Sequence, residues 1–264
     1  MSRLGELYNV IYNTICGRHP NEFPWHFQWL SGKDLHAGLR VALSGLEEGK
    51  VLDVGCGKNP YKSWLGEGHE YTGMDVVEGP GVDIVVGPKE PWPFEKGHFD
   101  SILCTQVLEH TLDVDHMLRE MRRVLRVGGK IIVTVPFIYS EHGDPWDFRR
   151  FSLMGLKELF SGPYEVLQLK KIGGFGSTGG TLLLNWCSNS MSVNTITRLL
   201  KGVLLPAWII FSAVINVIGL LGDALDRTGT FYGNVLLVAE KVEEHSFRED
   251  VGGISAIHGQ DTVI

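Results

Sequence analysis

Val51 to Pro60 reads VLDVGCGKNP, and the fold is decided there. An apolar run, Val51 to Val54, passes straight into a glycine-rich turn, Gly55-Cys56-Gly57. Glycine permits positive φ at such a turn and lets a ligand come close to the backbone. Further on, a second short run, YTGMDV (Tyr71–Val76), ends in Asp75. A carboxylate there can accept hydrogen bonds from both hydroxyls of a ribose. The turn predicts a helix after it, as in a βαβ unit.

Working outward, short apolar runs alternate with helical or loop segments from Lys50 to about Glu165, the rhythm of parallel βαβ units. The predicted strands are Lys50–Gly55, Tyr71–Val76, Val82–Val86, Phe99–Gln106, Lys130–Phe137, Tyr164–Ile172 and Asn234–Lys241. Several are continuous apolar runs, as in strands covered on both faces. The clearest helix is DVDHMLREMRRVLRVGG (Asp113–Gly129). Val114, Met117, Leu118, Met121, Val124 and Leu125 form its apolar stripe, Asp113 is the expected N-cap, and Gly128-Gly129 the expected stop. The expected class is therefore α/β: a Rossmann-like, mostly parallel seven-stranded sheet with helices on both faces.

Four regions follow. Residues 1–48 form an N-terminal helical, aromatic-rich cap, with Leu4, Leu7, Tyr8, Ile11 and Ile15 at helical spacing. Its Trp25, His26, Phe27 and Trp29 fit either a lid over an acceptor site or ordinary packing. Residues 49–172 form the core, 173–233 an apolar helical insertion, and 234–264 the last strand and a polar tail expected to fray.

Composition narrows the function. The 264 residues carry 31 acidic against 24 Lys and Arg, a net charge of -7, which offers no broad positive field and excludes nucleic acid as the main partner. Cys16, Cys56, Cys104 and Cys187 form no Cys-x-x-Cys pair, so they read as reduced thiols of a cytoplasmic protein with no structural zinc, and no metal ligand is assigned.

The glycine turn and Asp75 fit two nucleoside cofactors, NAD and S-adenosylmethionine (SAM). A dinucleotide fingerprint wants a third glycine where this chain has Asn59-Pro60, and Asp53 would repel a diphosphate. Asp53 suits the ammonium and sulfonium charges of SAM.

With these motifs, FDSILCTQVLEH (Phe99–His110) and RVLRVGGKIIVTVPF (Arg123–Phe137), the chain resembles class I SAM-dependent methyltransferases. Within that class it resembles bacterial small-molecule and glycan enzymes with a Pro-Phe, His and Pro-x-Asp-Phe-x-Arg element after the fifth strand. Here that element is PFIYSEHGDPWDFRRFS (Pro136–Ser152). The resemblance implies that Gly55, Cys56 and Gly57 line the methionine portion, Asp53 holds the loop or amino group, and Asp75 binds the ribose. Thr105 and Gln106 would face the amino-acid end or the sulfonium. Gly87-Pro88 stands where relatives often bind adenine with an acid, so the source of the adenine contacts stays open.

Ligands bind beyond the carboxyl ends of strands in open α/β sheets, which places the acceptor near Glu141–Arg150. There His142 is the candidate general base, Asp144 or Asp147 would orient the acceptor, and Arg150 or Arg149 would close the loop or bind an anion. The alternative is a structural turn fixed by Asp147 and one of those arginines. His110 reads as a packing residue at a helix start. The expected reaction is methyl transfer from SAM to an oxygen of a small or lipid-linked acceptor, a glycan sugar first and a quinone-like isoprenoid second. A non-catalytic SAM-fold binding subunit and an NAD-dependent oxidoreductase are the rivals.

Val203–Gly222 (VLLPAWIIFSAVINVIGLLG) carries no charge over a bilayer-spanning length. Pro206 interrupts its start, and Ser212 and Asn216 dilute it. A single crossing would also strand the last β-strand away from its sheet. A helical hairpin is expected instead, its apolar face covering the acceptor site, forming a homodimer contact, or resting peripherally on the inner face of a membrane.

Overall fold

A computed structural model describes residues 3–17, 22–192 and 195–243. The tail expected to fray lies almost wholly outside the described residues, as do the side chains of Leu4 and Leu7.

The chain folds as α1 (Arg3–Cys16), α2 (Trp29–Ser44), β1 (Gly49–Val54), β2 (His69–Asp75), β3 (Ile84–Val85), β4 (Phe99–Thr105), α3 (Val114–Val124) and β5 (Leu125–Pro136). Then come α4 (Leu153–Leu159), β6 (Tyr164–Ile172), α5 (Phe175–Ser190), α6 (Thr195–Val203), α7 (Leu205–Leu225) and β7 (Asn234–Lys241). One seven-stranded sheet runs in the order β3-β2-β1-β4-β5-β7-β6. Strands β1 to β5 are parallel, and β7 is antiparallel to both β5 and β6. All seven expected strands are present, although the third shrinks to two residues.

Alternate side chains of the central strands feed two cores. Leu52, Val54, Ile102, Cys104, Ile131, Val133, Val235 and Leu237 face α3 and α4. Val51, Leu103, Ile132, Leu236 and Val238 face α2 through Leu35, Leu39 and Leu43. Burial on both faces explains the unalternating apolar runs.

Three local expectations need correction. No α-helix follows the glycine turn: Pro60 and the glycines at 66 and 68 leave only a 3-10 turn, Lys62–Trp64, before β2. Gly128-Gly129 does not end α3. The helix stops at Val124 because Leu125 is already extended and buried in the core. The glycine pair instead sits in an irregularity of β5, where the pairing passes from Phe99↔Leu125 to Ser101↔Lys130. A Cβ on Gly129 would meet the Asp100 carbonyl oxygen at 2.8 Å. Asp113 does cap α3, accepting from the His116 amide at 3.0 Å. Third, Pro206 lies in the first turn of an unbroken α7, where its missing N–H costs no helical hydrogen bond.

The insertion is three helices. A Cβ on Gly176 would meet the Gly219 carbonyl oxygen, and one on Gly180 would meet Ile215 at 3.3 Å, so α5 and α7 run antiparallel with backbones in contact. Among the described side chains of α1, Tyr12 and Cys16 are buried, whereas Ile11 and Ile15 of the expected stripe are exposed. The aromatic cluster packs: the Phe27 amide donates to the Tyr12 hydroxyl, and Phe27 meets Trp208 of α7. Asn216 donates through Nδ2 to the Pro24 and His26 carbonyls, joining α7 to the N-terminal segment.

Candidate functional site

Because β1, β2, β4 and β5 are parallel, their carboxyl ends share one edge of the sheet. Strand order reverses between β1 and β4, the place where open α/β sheets form a ligand crevice. Asp53 near the end of β1, Asp75 at the end of β2, and Thr105 at the end of β4 meet at this edge.

The glycine turn has its amides turned inward. Gly55 and Cys56 donate to the Met74 carbonyl, Gly57 donates to Asp75 Oδ2 at 2.9 Å, and Asn59 donates to the Cys56 carbonyl. Four of the five amides from 55 to 59 are thus engaged. A diphosphate would find neither a nest of free N–H groups nor a helix N-terminus here. Asp75 is more fully used than the sequence discloses, its Oδ1 also accepting from the Val76 and Val77 amides.

The glycines differ in purpose. Gly55 has φ +67 and stands where a Cβ would meet Val107 at 2.5 Å, so its missing side chain serves packing. Gly57, at φ +54, has nothing within 4 Å of a Cβ and leaves open space over the turn. The Cys56 thiol is buried and donates to the Gly81 carbonyl, so only backbone of this residue can face a ligand.

Asp53 is 1% exposed and accepts one hydrogen bond, from Tyr71 Oη at 2.8 Å. Burial pushes its carboxyl up to about 7, the Tyr71 bond opposing and the Asp75 charge adding to the rise. A buried acid short of cations stabilises a positively charged group brought beside it. Asp53, Asp75 and the open space over Gly57 thus lie together at one end of the crevice. Tyr71 and Val107 escaped the sequence reading because strand register and a loop contact place them here.

Beyond β4 and β5 the chain forms a second cluster. Gln106, at φ +56, donates from its amide to the Thr134 carbonyl and turns the chain toward Leu108–His110. Arg149 donates to the Thr111 and Leu112 carbonyls, tying the loop after β5 to the end of β4. Asp147, its side chain 2% exposed, is gripped by both terminal nitrogens of Arg150 and also accepts from the His142 amide at 2.8 Å. These bonds, Arg150 first, hold its carboxyl well below the usual range. Asp144 lies exposed.

The His142 ring lies 4.8 Å from that of His110, edge to face. Burial lowers its pKa, with Asp147 opposing and His110 and Arg150 reinforcing. Beneath the two rings lies Glu109, fully buried, its carboxyl pushed up to about 7 by burial. Glu109 was not singled out in the sequence, where VLEH reads as the start of a helix.

Residues 52–133 match the family model described as a methyltransferase domain. The chain is 35% identical over 131 residues to a ubiquinone/menaquinone biosynthesis C-methyltransferase of Hahella chejuensis, covering 47% of this chain and 43% of that protein. It is 33% identical over 108 residues to a phthiotriol/phenolphthiotriol dimycocerosates methyltransferase of Mycobacterium ulcerans, covering 36% and 39%. The crystal structure of the [4+2]-cyclase SpnF superposes with a TM-score of 0.54 at 19% identity over 91% of this chain and 96% of that one, a likeness of fold. The match thus spans less than half the length of these two curated relatives. The sheet is Rossmann-like, the fold of that cyclase. Residues 52–133 are thus a methyltransferase domain, and SAM is the cofactor such a domain uses.

Proposed function

We propose that the chain methylates a hydroxyl oxygen of a lipid-linked acceptor, on a glycan sugar or an isoprenoid headgroup. When bound, SAM supplies the electrophilic methyl group. Asp53 and the turn at Gly55–Gly57 would hold its amino-acid end, Asp75 its ribose, and Thr105 and Gln106 the side toward the acceptor. Exposed Val76 and Val77 offer apolar surface for the adenine.

His142 is the base in this reading. Its Nδ1 lies 3.3 Å from the Ser140 carbonyl and 3.4 Å from Asp147 Oδ2, both acceptors, so the proton sits on Nδ1. Nε2 then takes the acceptor's proton, as a carboxylate-oriented imidazole does. Arg150 and Asp147 set the loop rather than touch the acceptor, since each occupies the other. Asp144 is left to orient it.

The observation that carries the lipid-linked acceptor is the inversion of α7. Beyond Leu205 and Trp208 its buried side presents Ser212, Asn216 and Gly219, whereas Ile210, Val214, Val217, Ile218, Leu221 and Leu225 recur along its exposed side. Among the described residues it is the one helix long and apolar enough to cross a membrane, and most of it is not buried. An apolar stripe turned outward suits a helix lying on a lipid surface, and β7 returns to the sheet beyond it. Two relatives named for lipid or quinone products agree with this choice.

The test supplies methyl-labelled SAM and the chain with lipid extract, with aqueous small molecules and with nucleic acid. Label on an organic-phase product whose mass rises by one methyl supports the reading. Label confined to the aqueous fraction overturns the lipid-linked acceptor.

A further inference from the structure

Glu109, His110 and His142 converge from two elements that the sheet brings together: the turn after β4 and the loop after β5. One ligand atom from each lies within 4.8 Å of the others. Glu109 is 0% exposed, and neither of its carboxylate oxygens has a hydrogen-bond partner. Its nearest ion-pair contact is His110 Nε2, at 3.9 Å from Oε1. A buried carboxyl with both oxygens unpaired is costly to maintain, and native structures generally give such a group a partner.

Both imidazoles have Nδ1 turned to an oxygen acceptor. His110 Nδ1 is 2.7 Å from the Trp146 carbonyl oxygen, which can only accept, so Nδ1 carries the proton. His142 Nδ1 is fixed in the same way by Ser140 and Asp147. Both rings therefore hold a bare Nε2 lone pair, each with a carbonyl or carboxylate behind it. That outer arrangement is typical of metal-bound histidine, where a second acceptor fixes the tautomer and raises ligand basicity. Gly143, at φ +74, lets the loop backbone lie against the His110 ring, where a Cβ would be 3.1 Å from Cε1.

We infer that Glu109, His110 and His142 bind one divalent first-row transition-metal ion. Two imidazoles and one carboxylate suit zinc, iron or manganese better than calcium. Ligand atoms around such an ion stand roughly 3.3 Å apart, so the three side chains close by about an ångström on binding. The histidine side chains are 28% and 36% exposed, so the remaining coordination positions open outward. This inference rests on the placement of the acceptor at the same loops. It changes the part played by His142, whose Nε2 becomes a ligand when the ion is present.

Cobalt(II) titration of the tag-free full-length chain, after chelator treatment and dialysis, tests it. We expect one equivalent to produce visible d–d absorption that zinc displaces. Glu109→Gln and His110→Ala should each weaken cobalt binding at least tenfold, and His116→Ala, in the first turn of α3 with its ring on the Glu90 carbonyl, should not change it. Glu109→Gln mimics the neutral acid and keeps the fold, so an unchanged melting temperature separates ligand loss from unfolding. No cobalt absorption up to millimolar metal, or equal binding by Glu109→Gln, overturns the inference. Cobalt binding without labelled product in any extract would leave the metal site standing and sink the acceptor assignment. Labelled product formed in excess chelator by a chain that binds no cobalt would do the reverse.

Discussion

Asp53 and Asp75 sit at the ends of adjacent strands in opposite electrostatic conditions. Asp75 accepts three backbone amides, whereas Asp53 is buried with one tyrosine. Asp75→Ala removes both the ribose partner and the anchor of the turn, and should weaken S-adenosylhomocysteine binding at least tenfold by calorimetry. The Asp53 acid, raised to about 7, holds a proton in the folded chain that the unfolded chain releases near 4. Its contribution to stability is therefore full below about 4 and lost as pH rises through about 7. The melting temperature of the ligand-free protein should fall across that window, and SAM affinity should rise as the carboxylate forms. Asp53→Asn should flatten the affinity profile, whereas a parallel slope in that variant would remove Asp53 from the cofactor site. The positions of both acids are legible in VLDVGCG and YTGMDV. Their partners are not, because strand register opposes Asp53 to Gly73 and Leu103, and no local pattern reveals that.

Elements were legible where periodicity is strong. The seven strands and the core helix follow from apolar runs and from the Asp113 cap, but boundaries fail where a glycine has two uses. Gly128-Gly129 looks like a helix stop, yet it serves strand pairing, because Leu125 enters the core first. The missing helix after Pro60 went unread because the glycine-rich turn resembles one that normally opens a helix. In the insertion, α5 and α7 touch through glycine. Gly176→Ala forces a Cβ onto the Gly219 carbonyl and should cost about 1–3 kcal/mol, seen as a lower denaturation midpoint at unchanged m-value. Asn216→Ala strips Nδ2 from the Pro24 and His26 carbonyls. It should cost about 1–3 kcal/mol and expose the segment around Trp25 to limited proteolysis. If neither variant changes stability, the close packing of the insertion is not what holds the N-terminal segment.

For the whole molecule, the sheet puts chemistry on one edge while the insertion between β6 and β7 turns apolar side chains outward. The uncharged run of bilayer-spanning length was readable from hydropathy, and which of its sides faces outward was not, since only packing shows which side of α7 meets α5. Val217→Asp and Leu221→Asp lie on the exposed side. They should abolish co-sedimentation with anionic phospholipid vesicles while leaving the melting temperature and S-adenosylhomocysteine affinity unchanged. Loss of fold instead would mean that this side is covered within the chain.

The most direct test of the cofactor crevice is a crystal structure of the chain with S-adenosylhomocysteine, alongside a matched soak with NADH. The nucleoside should lie across Gly57 with its ribose hydroxyls on Asp75 and its amino group on the Asp53 side, and NADH should leave no trace. An empty crevice in the first crystal, or a diphosphate over Gly55–Gly57 in the second, would contradict it.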